Sequence, residues 1–160
     1  MATTTVVSDG FLLNPSVFII TLLLSLKITY DPTSIMPEVF IQGGEGKLQA
    51  KYSPSEQDKP NIAIVLHPNP KHGGTMDTKV NYAAFKVMKD AGFSTLRINF
   101  RGVGKSDGAF TEGEGELNDA SVSLDWLQKK NEDFKSCWIV GFSFGAWIGF
   151  QTLMRRPEVD

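Results

Sequence analysis

Gly141-Phe142-Ser143-Phe144-Gly145 places a serine between two glycines, each two positions away. The pattern suits a nucleophile. A serine hydroxyl that attacks a carbonyl must project from a sharp reversal between a strand and a helix, and the residues two positions before and after it pack too closely for side chains. Here an apolar run at 137–140 precedes Ser143, and a helix-forming stretch at 146–154 follows. The motif therefore stands between the elements it requires. The helix behind it would direct N–H groups and the positive end of its dipole at the reacting atom. Ala146 and Gly149 are small and let that helix approach the sheet. Five residues with three fixed also match by chance, and it is the strand and helix on either side that favour Ser143 as catalytic, with Gly141 and Gly145 as the elbow glycines.

A carbonyl under attack develops an oxyanion, which needs two donors. One is the N–H after the nucleophile, on Phe144; the other comes from the loop after an earlier strand. That loop reads His67-Pro68-Asn69-Pro70-Lys71-His72-Gly73-Gly74-Thr75-Met76. Pro68 and Pro70 carry no N–H, so Asn69 is the expected second donor. Lys71 and His72 are placed at the mouth of the site. Lys71 and Arg101 also suit an anionic substrate, although exposed charges are most often plain surface. His67, at a strand end, is read as a structural residue whose ring hydrogen bonds fix the loop.

The elements that must hold these groups follow from periodicity. Residues 38–42 and 47–53 read as a hairpin around Gly43-Gly44-Glu45-Gly46. Residues 62–66 (IAIVL) are continuously apolar, as in a parallel strand buried on both faces. Val80, Ala83, Ala84, Val87, Met88 and Ala91 form one helical face over 77–91, and Gly92 stands at the C-cap position. A strand is expected at 93–100 and a glycine-rich loop at 101–115. A helix carrying Leu117, Ala120, Leu124 and Leu127 ends near Lys130. Strands alternating with helices argue for an α/β fold, a mostly parallel sheet with helices on both faces.

Composition narrows the function. The 160 residues are 41% hydrophobic and 21% charged, with a formal net charge of -2. That is a globular composition without the basic face that nucleic-acid binding requires. With two histidines and one cysteine, neither a disulfide nor a structural zinc site is expected. No cofactor or metal is implied. Cys137 lies in an apolar strand and reads as packing. Gly104-Lys105-Ser106 resembles the end of a phosphate loop, but that pattern needs glycine where Asn99 stands. Asp119, Asp125 and Asp133 read as the solvated side of the second helix.

Residues 1–35 differ from the rest. Their apolar runs, 11–13 and 17–26, are broken by Asn14-Pro15-Ser16 and closed by Lys27. Neither reaches the roughly 20 residues of a spanning helix. They are read as an extension outside a domain of residues 36–160, in a cytoplasmic protein without membrane association. The alternative makes residues 11–30 an anchor, with the domain on the cytoplasmic side.

Three ordered motifs, the HPNPKHGGTM loop at 67–76, Asn99-Phe100-Arg101-Gly102-Val103-Gly104-Lys105-Ser106, and GFSFGA at 141–146, resemble those of the α/β-hydrolase family. More narrowly, they are similar to the small bacterial hydrolases with an HPxPxxGGTM loop. The resemblance runs from Met36 to the end. It implies a serine hydrolase of ester, thioester or amide bonds in small molecules, with Ser143 activated by a histidine and an acid that follow it in chain order. Glu158 and Asp160 come too early for that acid. The triad partners are therefore expected beyond residue 160, which would leave this stretch inactive as a truncated fragment and its outer strand free to self-associate. The competing reading is a non-catalytic binding module, or an inert fragment, of the same fold.

Overall fold

The structure, a computed structural model, describes residues 37–156 and Val159. The expectations for residues 1–35, extension or anchor, lie outside it. Among the described residues, no helix is long and apolar enough to cross a membrane.

The chain opens with β1 (Glu38–Gly43) and β2 (Gly46–Ser53), an antiparallel hairpin closing at the Gly43–Gly46 pair. β3 (Ile62–Leu66) follows, every residue of it buried. Its alternation assigns each side chain to a layer. Ile62, Ile64 and Leu66 join a core cluster with Ala120, Leu124, Leu127 and Ile148, while Ala63 and Val65 join another with Ala84, Phe85 and Met88. The unbroken apolar run is thus a strand covered on both faces. β4 (Ser94–Ile98) and β5 (Cys137–Gly141) run parallel to β3 on either side of it. β2 pairs antiparallel with β4. The sheet order is β1-β2-β4-β3-β5, five strands, which leaves β5 at an edge among the described residues.

Helix α1 (Lys79–Asp90) connects β3 to β4. It is shorter than expected, and its buried face is turned. Asn81, Tyr82, Ala84, Phe85 and Met88 point inward, while Val80, Ala83 and Val87 are half-buried and Ala91 is exposed. Buried Arg97 of β4 accounts for the turn. Its guanidinium lies 5.0 Å from the Tyr82 ring and 4.9 Å from the Phe85 ring and donates to the Met76 carbonyl, so the helix shows the sheet its rings rather than its small aliphatic stripe. The helix ends as expected at Gly92. With φ 86 there, Gly92 N–H donates to Lys89 O and Phe93 N–H to Met88 O, satisfying the last carbonyls.

Helix α2 (Glu114–Lys130) and helix α3 (Phe144–Leu153) cover the other face. The expectation that Asp119 is solvated is wrong. It is buried and holds Arg101, itself buried rather than surface: Arg101 N–H donates to Oδ2 at 2.9 Å and its Nη2 to Oδ1 at 2.8 Å. A helical position is inward-facing by geometry, and a buried guanidinium opposite it makes a carboxylate tenable there. Asp125 and Asp133 are exposed as expected. Cys137 is buried packing. On α3, a Cβ at Gly149 would lie 2.8 Å from Ile139 Cγ2, so the small residue is what lets the helix sit on β5.

Candidate active site

β3 and β5 pair with Leu66 opposite Gly141, so the loop after β3 and the turn after β5 emerge side by side at the carboxyl ends of parallel strands, where ligands bind in open α/β sheets. At the turn, Ser143 adopts φ 54, ψ −117. Glu112 is the other non-glycine residue with positive φ among the described residues. Such a conformation costs on the order of 1–3 kcal/mol and has to be imposed by its surroundings. The elbow glycines show how. A Cβ at Gly141 would lie 2.5 Å from the Gly145 carbonyl carbon, and one at Gly145 would run into the carbonyl oxygens of Leu66 and His67. The start of α3 is therefore clamped against the end of β3, and Ser143 stands exposed at the apex. Its hydroxyl makes no hydrogen bond among the described residues. Trp147 N–H already donates to Ser143 O at 3.0 Å, whereas the Phe144 N–H, the first of α3, has no acceptor there.

The neighbouring loop is equally fixed. Asn69 caps a single 3-10 turn at Pro70–His72. Its Oδ1 accepts from Lys71 N–H at 2.8 Å, and its carbonyl accepts from His72 and Gly74, each at 3.0 Å. Gly74 folds so tightly onto Pro68 O that no Cβ fits. The Asn69 N–H is left without an acceptor among the described residues. Two rigid, unbonded backbone donors thus belong to the two segments that the sheet register sets side by side. That is the raw material of an oxyanion hole.

His67 is fully buried. Its Nε2 accepts from Phe100 N–H at 3.1 Å, which puts the ring proton on Nδ1, donated to Pro68 O at 2.7 Å. Burial lowers its pKa to about 4, against smaller upward pulls from the Pro68 carbonyl and Glu116. Both nitrogens are committed, so His67 is structural and holds no proton-accepting capacity for Ser143. His72 is exposed. Lys71 pairs with Glu112 at 2.5 Å and lies 5.3 Å above the Phe110 ring.

Several residues escaped the sequence reading. Fully buried Glu116 accepts from Thr111 N–H (2.9 Å), Thr111 Oγ1 (3.0 Å) and Gly113 N–H (2.7 Å), which pins Glu112 at its φ of 61. The available signal was a glutamate three residues into a helix, the position from which a carboxylate reaches back to the cap. Gly104-Lys105-Ser106 is a structural knot. Ser106 Oγ donates to Asn99 O and accepts from Gln49 N–H, while Asn99 bridges Met76 N–H and the Gln49 side chain. Among the described residues, no group of three His, Cys, Asp or Glu is arranged to hold a metal.

Residues 47–159 match the family model described as X-Pro dipeptidyl-peptidase (S15 family). The chain belongs to that family. It is 49% identical over 125 residues to an uncharacterized protein of Rickettsia prowazekii, covering 78% of this chain and 52% of the relative. A protein of unknown function from Agrobacterium tumefaciens, described as an alpha/beta hydrolase, superposes with TM-score 0.74 at 51% identity, over 78% of this chain and 57% of that one. An alpha-beta serine hydrolase homologue from Coxiella burnetii gives TM-score 0.70 at 35% identity, over 80% and 61%. The fold is the α/β-hydrolase fold, and the chain spans about half the length of the curated relative and under two thirds of these solved neighbours.

Proposed function

We propose that the family member to which these residues belong hydrolyses a carboxylic ester, thioester or amide of a small molecule through an acyl-enzyme on Ser143. The observation that carries this is the strained, exposed Ser143 at the start of α3, with unbonded N–H groups on Phe144 and Asn69 in the adjoining segments. In the proposed reaction, Ser143 Oγ attacks the carbonyl carbon as a base takes its proton. The oxyanion is held by the two N–H groups, and the leaving group departs with the proton. Water, deprotonated by the same base, then attacks the acyl carbon and releases Ser143. Gly141 and Gly145 maintain the elbow. Lys71 and His72 line the mouth.

His67 cannot be the base, because its ring nitrogens are both engaged. The base and its orienting acid are supplied by residues beyond position 160, so these residues alone do not turn over. The hydrolase domain begins near Met36 and works in the cytoplasm without a cofactor, and residues 1–35 are not part of it.

Release of p-nitrophenol from p-nitrophenyl acetate tests the reading. The 160-residue chain should give no rate above background. A longer in-frame chain that adds an acid and then a histidine should hydrolyse the ester, and Ser143→Ala in it should abolish the rate. A folded longer chain with both groups and no turnover on ester, thioester or amide substrates would favour the non-catalytic reading.

A further inference from the structure

A wall of aromatic rings begins at the residue after Ser143. Phe144 packs against Phe110 at a centroid distance of 5.4 Å and against Trp147 at 5.8 Å. Beneath, it meets Phe100 at 5.8 Å, which packs against His67 at 4.7 Å. Phe110 and Phe144 are half-buried, and Trp147 is 47% exposed. An indole half in water would ordinarily be free to swing, yet this one is seated. A Cβ at Gly113 would run into its six-membered ring, so the ring rests directly on the Gly113 backbone.

That seat is itself built. Buried Glu116 binds Thr111 and Gly113 on either side of Glu112, whose backbone is held at φ 61. The Glu112 ion pair with Lys71 is exposed, 75% and 60% at the two side chains, and an ion pair in water adds little to stability. The ion pair by itself is therefore a weak reason to hold Glu112 in a strained conformation. What the strained segment does achieve is to set Phe110 and Gly113 against Phe144 and Trp147. The wall also links the two donors: Phe144 carries one N–H, and Lys71, whose ammonium lies over Phe110, is two residues from Asn69, which carries the other.

We propose that Phe110, Phe144 and Trp147 form the acyl subsite of this hydrolase, taking an uncharged apolar acyl chain of several carbons whose carboxyl carbon sits at Ser143. The inference rests on the oxyanion-hole reading above and adds the substrate class. Apolar rings gain from covering an apolar chain in proportion to the area removed from water. Lys71 and Glu112, beside Phe110, neutralise one another, so the subsite offers no unpaired charge to a second carboxylate on the substrate.

Octanoate, a carboxylate head for the two N–H groups with a chain for the rings, is the probe, titrated calorimetrically into the 160-residue chain. Saturable octanoate binding is expected, with a negative heat-capacity change, and none by acetate at tenfold higher concentration. Phe110→Ala and Trp147→Ala should each weaken octanoate at least fivefold. Phe150→Ala and Met154→Ala, which alter exposed apolar residues further along α3, should leave it within twofold. Phe110→Leu serves if circular dichroism shows the alanine variant unfolded, and should weaken binding measurably. No octanoate binding, binding indifferent to Phe110, or an equal loss at Phe150 overturns the proposal. Fluorophosphonate labelling of Ser143 in the longer chain is read separately. Octanoate binding that depends on Phe110 and Trp147 without labelling sinks the nucleophile alone, and labelling without such binding sinks the subsite alone.

Discussion

Acid should unfold this protein through His67. Its imidazole is buried and neutral, with Nε2 facing the Phe100 N–H, so the folded state takes up a second ring proton only near pH 4 while the unfolded chain takes it up near 6.5. Between those values the unfolded state carries the extra proton. The stability attached to the group is thus complete above pH 6.5 and is lost as the pH falls toward 4. At 1.36 kcal/mol per pH unit, the loss is about 3 kcal/mol, a large part of the stability of a domain this size. Urea denaturation at pH 7.5 and pH 4 measures it. His67→Asn supplies the reference, because surface carboxylates titrate alike in both proteins and cancel in the difference. The variant should be less stable at pH 7.5, and its stability should fall by about 3 kcal/mol less between the two pH values. Equal pH dependence in the two proteins, or a wild type that gains stability on acidification, would refute the buried neutral imidazole.

Gly145→Ala should destabilise the chain by about 3 kcal/mol in chemical denaturation, the upper end of overpacking costs, since the new methyl meets the rigid carbonyls of Leu66 and His67; a loss under about 0.5 kcal/mol would show the elbow to be loose. A chain starting at Met36 should express at least as much soluble protein as the full chain, and loss of soluble expression would make residues 1–35 part of the fold. β5 (CWIVG) carries neither lysine nor proline and, among the described residues, pairs on one side only, which leaves an unprotected edge there. Light scattering should show concentration-dependent association of the 160-residue chain, and a sharp monomer at all concentrations with cooperative melting would contradict it.

The features legible in the sequence are those whose physical cause is local. Gly141 and Gly145 announce the elbow because backbone crowding admits nothing larger, and residues 62–66 read as a doubly covered strand because no polar residue interrupts them. The two prolines around Asn69 single out its N–H without any knowledge of the fold. Long-range pairing is what stayed hidden. Asp119 looked solvated because its partner Arg101 lies 18 residues earlier, and the face of α1 was misjudged because Arg97, on the next strand, stacks on Tyr82 and Phe85. Counting small aliphatic residues gave the helix a stripe, whereas an aromatic pair under a cation decided the orientation. The seat of Trp147 was likewise invisible, since it joins Gly113 to a residue on another helix through a glutamate whose role emerges only when the loop is closed.

We propose that Ser143 is a nucleophile whose base follows it in the chain. Covalent labelling with a fluorophosphonate probe, located by peptide mass spectrometry, tests it most directly. A histidine missing from such a site costs about 10⁶ in turnover in subtilisin-type enzymes. The 160-residue chain should therefore remain unlabelled. A longer in-frame chain that adds an acid and a histidine should be labelled on Ser143, with the signal lost in its Ser143→Ala variant. Robust labelling of Ser143 in the short chain, or a folded longer chain that the probe ignores, would contradict the assignment.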